Sequence, residues 1–139
     1  MFTALFRISR TVPGVDRIVK VIYKCDIPRK TQMGRVTFGH NALGVVIHPQ
    51  TKIGNNVFFQ HHASTGVRWP GDKLPVLQDN VRIGAYAILL GPITIGENSV
   101  IGAGSIVTHD VPANSIFYNK KVDTIVQKTE DFGRQKSNC

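Results

Sequence analysis

A six-residue beat constrains this chain more than any other feature. From Leu77 to Ala113 a large aliphatic residue returns at Leu77, Ile83, Leu89, Ile95, Ile101 and Val107, and Gly84, Gly96 and Gly102 follow three of these by one position. Neither the 3.6-residue period of a helix nor the two-residue alternation of a strand repeats one apolar residue in six. A coil of three short parallel strands does, and self-similarity at a fixed period marks a solenoid. Val81, Ala87, Ile93, Ser99, Ser105 and Val111 form a second register four residues after the first. Two inward positions per hexad, with glycine or polar residues at the corners, fit a narrow triangular prism whose strands stack on their counterparts in the next coil.

The repeat therefore predicts an all-β fold, a left-handed parallel β-helix of hexapeptide repeats. The phase runs backwards through Ile47, Ile53, Phe59 and Thr65, and more loosely to Ile27 and Met33, which gives five coils in one domain of 139 residues. At least three stacked repeats are needed to bury a continuous core, so five suffice. Two interruptions stand out. Ile27 to Ile47 is twenty residues rather than three whole hexads, so two surplus residues bulge within Gly39-His40-Asn41-Ala42-Leu43-Gly44. Thr65 to Leu77 is twelve residues, and the stretch between them holds Trp69, Pro70, Gly71 and Pro75, so 66–76 is expected to leave one corner as an exposed loop. Glycines bracketing a histidine at a broken repeat point to function, because loops on rigid scaffolds carry binding and catalytic groups.

The ends differ from this body. Residues 1–30 carry seven Lys/Arg against two Asp, 31–118 five against four, and 119–139 five against three, so the net charge of +8 divides into +5, +1 and +2. Nucleic-acid binding calls for a basic stripe on the folded body, which a nearly neutral repeat lacks; no nucleic-acid partner is expected. In 14–24, Val15, Ile18, Val19 and Ile22 hold helical spacing while Arg17, Lys20 and Lys24 take the other side. This basic amphipathic helix closes the open end of the coil, or it lies on an anionic membrane surface. The expected division is an N-terminal helical segment over 1–24, the β-helix over 25–118 and a tail over 119–139. Two cysteines, Cys25 and Cys139, no secretory pattern and no apolar run of about 20 residues make a cytoplasmic protein the expectation, with peripheral contact at the inner membrane face through 1–24.

Four blocks carry a family likeness: Cys25-Asp26-Ile27-Pro28, His40-Asn41-Ala42-Leu43-Gly44-Val45-Val46-Ile47-His48-Pro49, Leu77 to Ala85, and Gly91 to Val107. Together they resemble the serine acetyltransferases of the hexapeptide-repeat superfamily, in the short form found in polysaccharide-biosynthesis loci. The resemblance implies transfer of an acetyl group from acetyl-coenzyme A to a hydroxyl, in a homotrimer with active sites in the grooves between neighbouring prisms. It makes His40 the general base, which suits an imidazole titrating near 6.5 facing an alcohol that is a poor nucleophile at neutral pH. It gives Asn41, His61 and His62 to acceptor positioning; on a strand, adjacent side chains point to opposite faces, so one of the two histidines is expected to take part. Coenzyme A is expected against Gly66, Gly84, Ala85, Ala103 and Gly104, with Arg68, Arg82, Lys120 and Lys121 as partners for its phosphates. His48 is expected to be a structural corner and His109 to face solvent.

The likeness has departures. Gly39 stands where the family has an aspartate that helps bind the amino-acid acceptor, Leu74-Pro75 stands where it has a second histidine before proline, and the long helical N-terminal domain is absent from the 139 residues. These favour a sugar hydroxyl over serine. Two other classes compete: a zinc enzyme resembling the γ-class carbonic anhydrases, built on His40, His61 and His62, and a catalytically inactive scaffold module. A zinc site needs converging imidazoles and a second shell, and only Gln60 offers an obvious partner, so no metal is expected. A covalent acyl-enzyme is disfavoured because neither cysteine sits beside a candidate base.

Overall fold

The computed structural model describes residues 2–119, without the side chain of Thr3. Two helices, α1 (Phe2–Thr11) and α2 (Val15–Tyr23), precede thirteen short strands that wind into a parallel solenoid. All strand pairs are parallel and fall into three sheets, the faces of the prism. Face 1 stacks β1 (Gln32–Met33), β4 (Lys52–Ile53), β7 (Val76–Leu77) and β10 (Thr94–Ile95). Face 2 stacks β2 (Val36–Phe38), β5 (Val57–Phe59), β8 (Arg82–Ile83), β11 (Val100–Ile101) and β13 (Ile116–Phe117). Face 3 stacks β3 (Val46–Ile47), β6 (Ser64–Gly66), β9 (Ile88–Leu90) and β12 (Ile106–Val107). The strands make a little over four turns. Single bridges, Asp26 to Val46 and Ile95 to Val111, add a fifth rung to faces 3 and 1, so the expected five levels exist with their outermost rungs reduced to one bridge each.

Both sequence registers point inward. Leu77, Ile83, Leu89, Ile95, Ile101 and Val107 are all buried, as are Val81, Ala87, Ile93, Ser99, Ser105 and Val111. From β7 to β12 each residue pairs with one 18 positions later, three whole hexads: Val76 with Thr94, Arg82 with Val100, Ile88 with Ile106. Three of the buried hydroxyls in this apolar column are paired, which offsets the cost of burying them, while the Thr31 hydroxyl is buried without a partner among the described residues. Thr51 and Thr65 share a 2.9 Å hydrogen bond, and the Ser99 hydroxyl donates to the Pro112 carbonyl at 2.8 Å.

Where face 1 turns into face 2, Asn56, Asn80, Asn98 and Asn114 take left-handed backbone, with φ of 60°, 60°, 58° and 57°. Asparagine is the non-glycine residue best suited to that region. Their side chains form a ladder along the prism, each amide donating to the next carbonyl oxygen at 3.2, 3.0 and 3.0 Å.

The helices close the N-terminal end. Phe2 and Phe6 pack edge-on against Phe38 of the lowest face-2 strand, with ring centroids 5.8 and 5.3 Å apart, and Phe38 stacks on Phe59 above it. Arg10 donates to the Thr31 carbonyl at 2.9 Å, and burial lowers its pKa from the usual arginine value. The capping role expected of this segment is thus present, and half of the expected stripe, Val15 and Val19, takes part in it. Val19 is buried, whereas Ile18 and Ile22 face outward. Phe2 and Phe6 of α1 cover the rest of the prism's end, packing on Phe38.

Candidate active site

The corner between faces 2 and 3 carries the chemistry. Its lowest turn, 39–45, spends seven residues between β2 and β3, where the turn above it, 60–63, spends four. The corner between faces 1 and 2 is one residue shorter in that coil, 34–35 against 54–56. The surplus is therefore three residues at one corner and minus one at another, a net of two, which is what Ile27 to Ile47 required. The long turn absorbs its extra residues as three successive left-handed residues, His40, Asn41 and Ala42, with φ of 49°, 55° and 60°. Left-handed backbone costs an L-residue about 1–2 kcal/mol, and such strain concentrates where a side chain must be held in place. The turn is fixed from beneath: the Gly44 amide donates to the Lys24 carbonyl at the end of α2, and fully buried Ala42 accepts from Val45.

His40 is exposed, and its ring lies edge-on to His61 with centroids 4.9 Å apart. His61 lies 5.7 Å from His62 and 5.5 Å from Tyr86, and His62 stacks on Tyr86 at 4.7 Å and 12°. Both histidines thus join one cluster, contrary to the expectation that one would turn away. Alternation belongs to strands, and these residues form a corner in which His62 adopts φ of 56°. The register places Gly44, His62, Tyr86 and Gly104 in one column, every member left-handed. A side chain at Gly44 would enter the imidazole of His62. Backbone bonds bind the column together: His62 N donates to Leu43 O, Tyr86 N to His61 O and Gly104 N to Ala85 O. His61 Nδ1 is buried without a hydrogen-bond partner among the described residues.

Tyr86 was not read from the sequence. The signal was its place 24 residues after His62, one coil plus the excursion of the long loop. Gln60 was undervalued too: its Oε1 lies 2.7 Å from where a Cβ on Gly39 would stand, so a neutral amide fills the space beside the residue that precedes His40.

The other expected ligand residues divide. Ala85, Ala103, Gly84 and Gly104 lie on this corner. Gly66 ends β6 on the far edge of face 3, open to solvent except for Leu90, and Arg68 follows it in the loop. Arg82 does not join them: it projects from face 2 above the Phe58 ring, 5.8 Å from its centroid. Gly84 is small for a different reason than the one expected, since a Cβ there would strike the backbone of Ala103 in the next coil. Lys120 and Lys121 lie outside the described residues. Asn41 is exposed on the His40 turn.

The long loop leaves the corner between faces 3 and 1 as expected, with nine residues, 67–75, where the next coil uses three. Trp69 at its tip is exposed, while Leu74 is buried and leaves no polar group where a second histidine stands in the likeness. His48 is a corner residue whose Nδ1 accepts from Gln50 N at 3.3 Å, and His109 is exposed against Phe117. Cys25 is buried, and burial foremost pushes its thiol pKa up, which suits a packed thiol rather than a nucleophile. Among the described residues, no three His, Cys, Asp or Glu side chains converge on a point that would hold a metal ion.

Residues 75–109 match the family described as bacterial transferase hexapeptide (six repeats). A serine acetyltransferase of Helicobacter pylori is 31% identical over 116 residues, which cover 82% of this chain and 68% of that protein. One of Bacillus subtilis is 45% identical over 107 residues, 76% of this chain and 48% of that protein. The solved structure of a soybean serine acetyltransferase apoenzyme superposes with a TM-score of 0.71 at 35% identity, over 86% of this chain and 51% of that one. That of a Neisseria gonorrhoeae serine acetyltransferase in complex with serine gives 0.70 at 32%, over 79% and 46%. The chain thus spans about two thirds of the Helicobacter protein and about half of the others. With the hexad coil, the interrupted turn at His40 and these likenesses agreeing, the chain belongs to the serine acetyltransferase family of hexapeptide-repeat proteins.

Proposed function

We propose that this protein is an acetyl-coenzyme A-dependent O-acetyltransferase in which His40 is the general base. The observation that carries the reading is the placement of His40 on a strained turn at the break in the coil, exposed and flanked by His61. His40 takes the proton of the acceptor hydroxyl as its oxygen attacks the thioester carbonyl, and returns it to the sulfur as the carbon–sulfur bond breaks. His61, His62 and Asn41 position the acceptor, and Tyr86 supports the His62 ring. Acetyl-coenzyme A lies along face 3 between the His40 corner and Gly66, with Arg68 meeting its phosphates; Lys120 and Lys121 are further candidates. The chain acts as a homotrimer, and the outward column of face 3, Val46, Ser64, Ile88 and Ile106, apolar but for Ser64, is the strip that a neighbouring prism covers.

The acceptor is a sugar hydroxyl rather than serine. The six acidic residues among the described ones, Asp16, Asp26, Asp72, Asp79, Glu97 and Asp110, lie on the helices, the lowest rung or the other two corners, and none lies on the His40 corner. An ammonium group would find imidazoles and an amide there but no carboxylate.

The test is thiol release from acetyl-coenzyme A against serine, nucleotide sugars and short glycans, with His40→Ala as control. A general base contributes about 10²–10⁴-fold, so the variant is expected to lose that much turnover while keeping coenzyme A affinity. An active His40→Ala variant overturns the mechanism. Turnover on serine alone overturns the acceptor, zinc bound in stoichiometric amount to purified protein favours the hydrolyase reading, and absence of coenzyme A binding favours the scaffold reading.

A further inference from the structure

The helical hairpin has a side that its capping role leaves unused. On α2, Val19 faces the core, but Ile18, Val21 and Ile22 at i, i+3 and i+4 share an outward face with relative exposures of 53%, 65% and 56%. Ile8 of α1 and Val12, which follows its last residue, are likewise exposed, at 47% and 46%. Beside this apolar face lie the cations Arg17 and Lys20 of α2 and, at its C-terminal cap, Lys24, all exposed. Arg17 and Lys20 border a cleft of about 730 Å³ between the hairpin and the lowest coil, lined also by Asp26, Arg29 and Lys30. Asp26 is engaged with Lys20 at 2.6 Å, so Arg17, Arg29 and Lys30 face the cleft with Asp16 as the remaining carboxylate.

We propose that this hairpin docks the protein on an anionic lipid surface, Ile18, Val21 and Ile22 entering the acyl boundary and the cations meeting headgroup phosphates. An aliphatic face bordered by cations, on helices too short to span a bilayer, is the pattern of a segment lying in the interface. Charge decides between occupants. Residues 1–30 carry seven Lys/Arg against two Asp, so a second copy seated on this face would bring two strongly positive surfaces together. Residues 119–139 are also net positive, five Lys/Arg against three acids, and do not complement it. Anionic lipid does, and the near-neutral prism adds no competing field. This inference is independent of the acetyl-transfer reading.

The test uses the full chain with extruded vesicles of phosphatidylcholine, alone or with a quarter of phosphatidylglycerol, followed by co-sedimentation. The protein is expected to pellet with the anionic vesicles only, and to be released as salt rises from about 0.1 to 1 M, where the Debye length falls from about 10 to about 3 Å. Arg17→Gln and Lys24→Gln are each expected to weaken binding about fivefold, and Ile18→Glu with Ile22→Glu to abolish it. All four positions are exposed, and an unchanged thermal unfolding curve checks that the variants fold. Failure to pellet with anionic vesicles, equal pelleting with neutral ones, or pelleting untouched by the Ile18/Ile22 pair overturns the proposal. So does vesicle-free self-association that the same pair of substitutions removes, which would give the face to a second copy.

Discussion

Gly44 shows how a single atom sets the site. Its backbone is left-handed at φ 67°, and the space a Cβ would occupy holds the His62 ring. Gly44→Ala is expected to cost about 1–2 kcal/mol for the backbone alone, to displace His62, and to lower turnover more than coenzyme A affinity; denaturant midpoints and steady-state kinetics check both. At Cys25 burial raises the thiol pKa, so the folded state favours the neutral thiol. The stabilisation is fully present below the unfolded thiol pKa, about 8.5, and is lost as pH rises through the raised folded value. Stability above that pH is expected to fall less in Cys25→Ala than in the parent, and alkylation of Cys25 in the native protein to be slow. Some of this scale was legible in the sequence: a histidine between glycines at a phase break is a local signal. The joint placement of His61 and His62 was not, because it depends on a left-handed φ that no side-chain pattern announces, and Tyr86 was hidden by the six-residue excursion that separates it from its equivalent.

At the scale of elements, corners matter more than strands, which are two or three residues long. The asparagine ladder makes one corner continuous, and Asn80 sits mid-ladder with a hydrogen bond to each neighbour. Asn80→Ala loses both bonds and the side chain that tolerates φ of 60°, an expected cost of about 2–3 kcal/mol. Asn80→Gly keeps the backbone and loses only the bonds, so its cost in the same denaturation assay is expected to be about half. In the core, Ile95→Asp places a carboxylate where no partner exists and is expected to unfold the coil, several kcal/mol being typical of an unpaired buried charge; a cooperative, native-like melt would refute the register. The hexads made faces and inward register readable because a period of six admits one way to bury two residues in each. The apportioning of the first coil's surplus, three at one corner and minus one at another, was not readable, because only the sum is fixed by the spacing of Ile27 and Ile47.

For the whole molecule, assembly is the open consequence of an outward strip on face 3 with Val46 and Ile106 about half exposed. Sedimentation is expected to give a species three times the 15.3 kDa chain, and Ile106→Glu to return it to the monomer mass with the melt of the isolated coil. A parent that sediments at 15.3 kDa would remove the partner prism from the proposed site. Composition placed the basic charge at the ends before any coordinate did, whereas the face of α2 left uncovered emerged only once α1 was seen to supply the capping rings. The constant offset of 18 residues between β7 and β12 has one more consequence. The upper prism is a ruler graduated in a single unit. Any edge running along it lengthens or shortens by whole coils, about 4.8 Å each, so the reach of a molecule laid along face 3 changes in steps of eighteen residues and no point substitution can trim it.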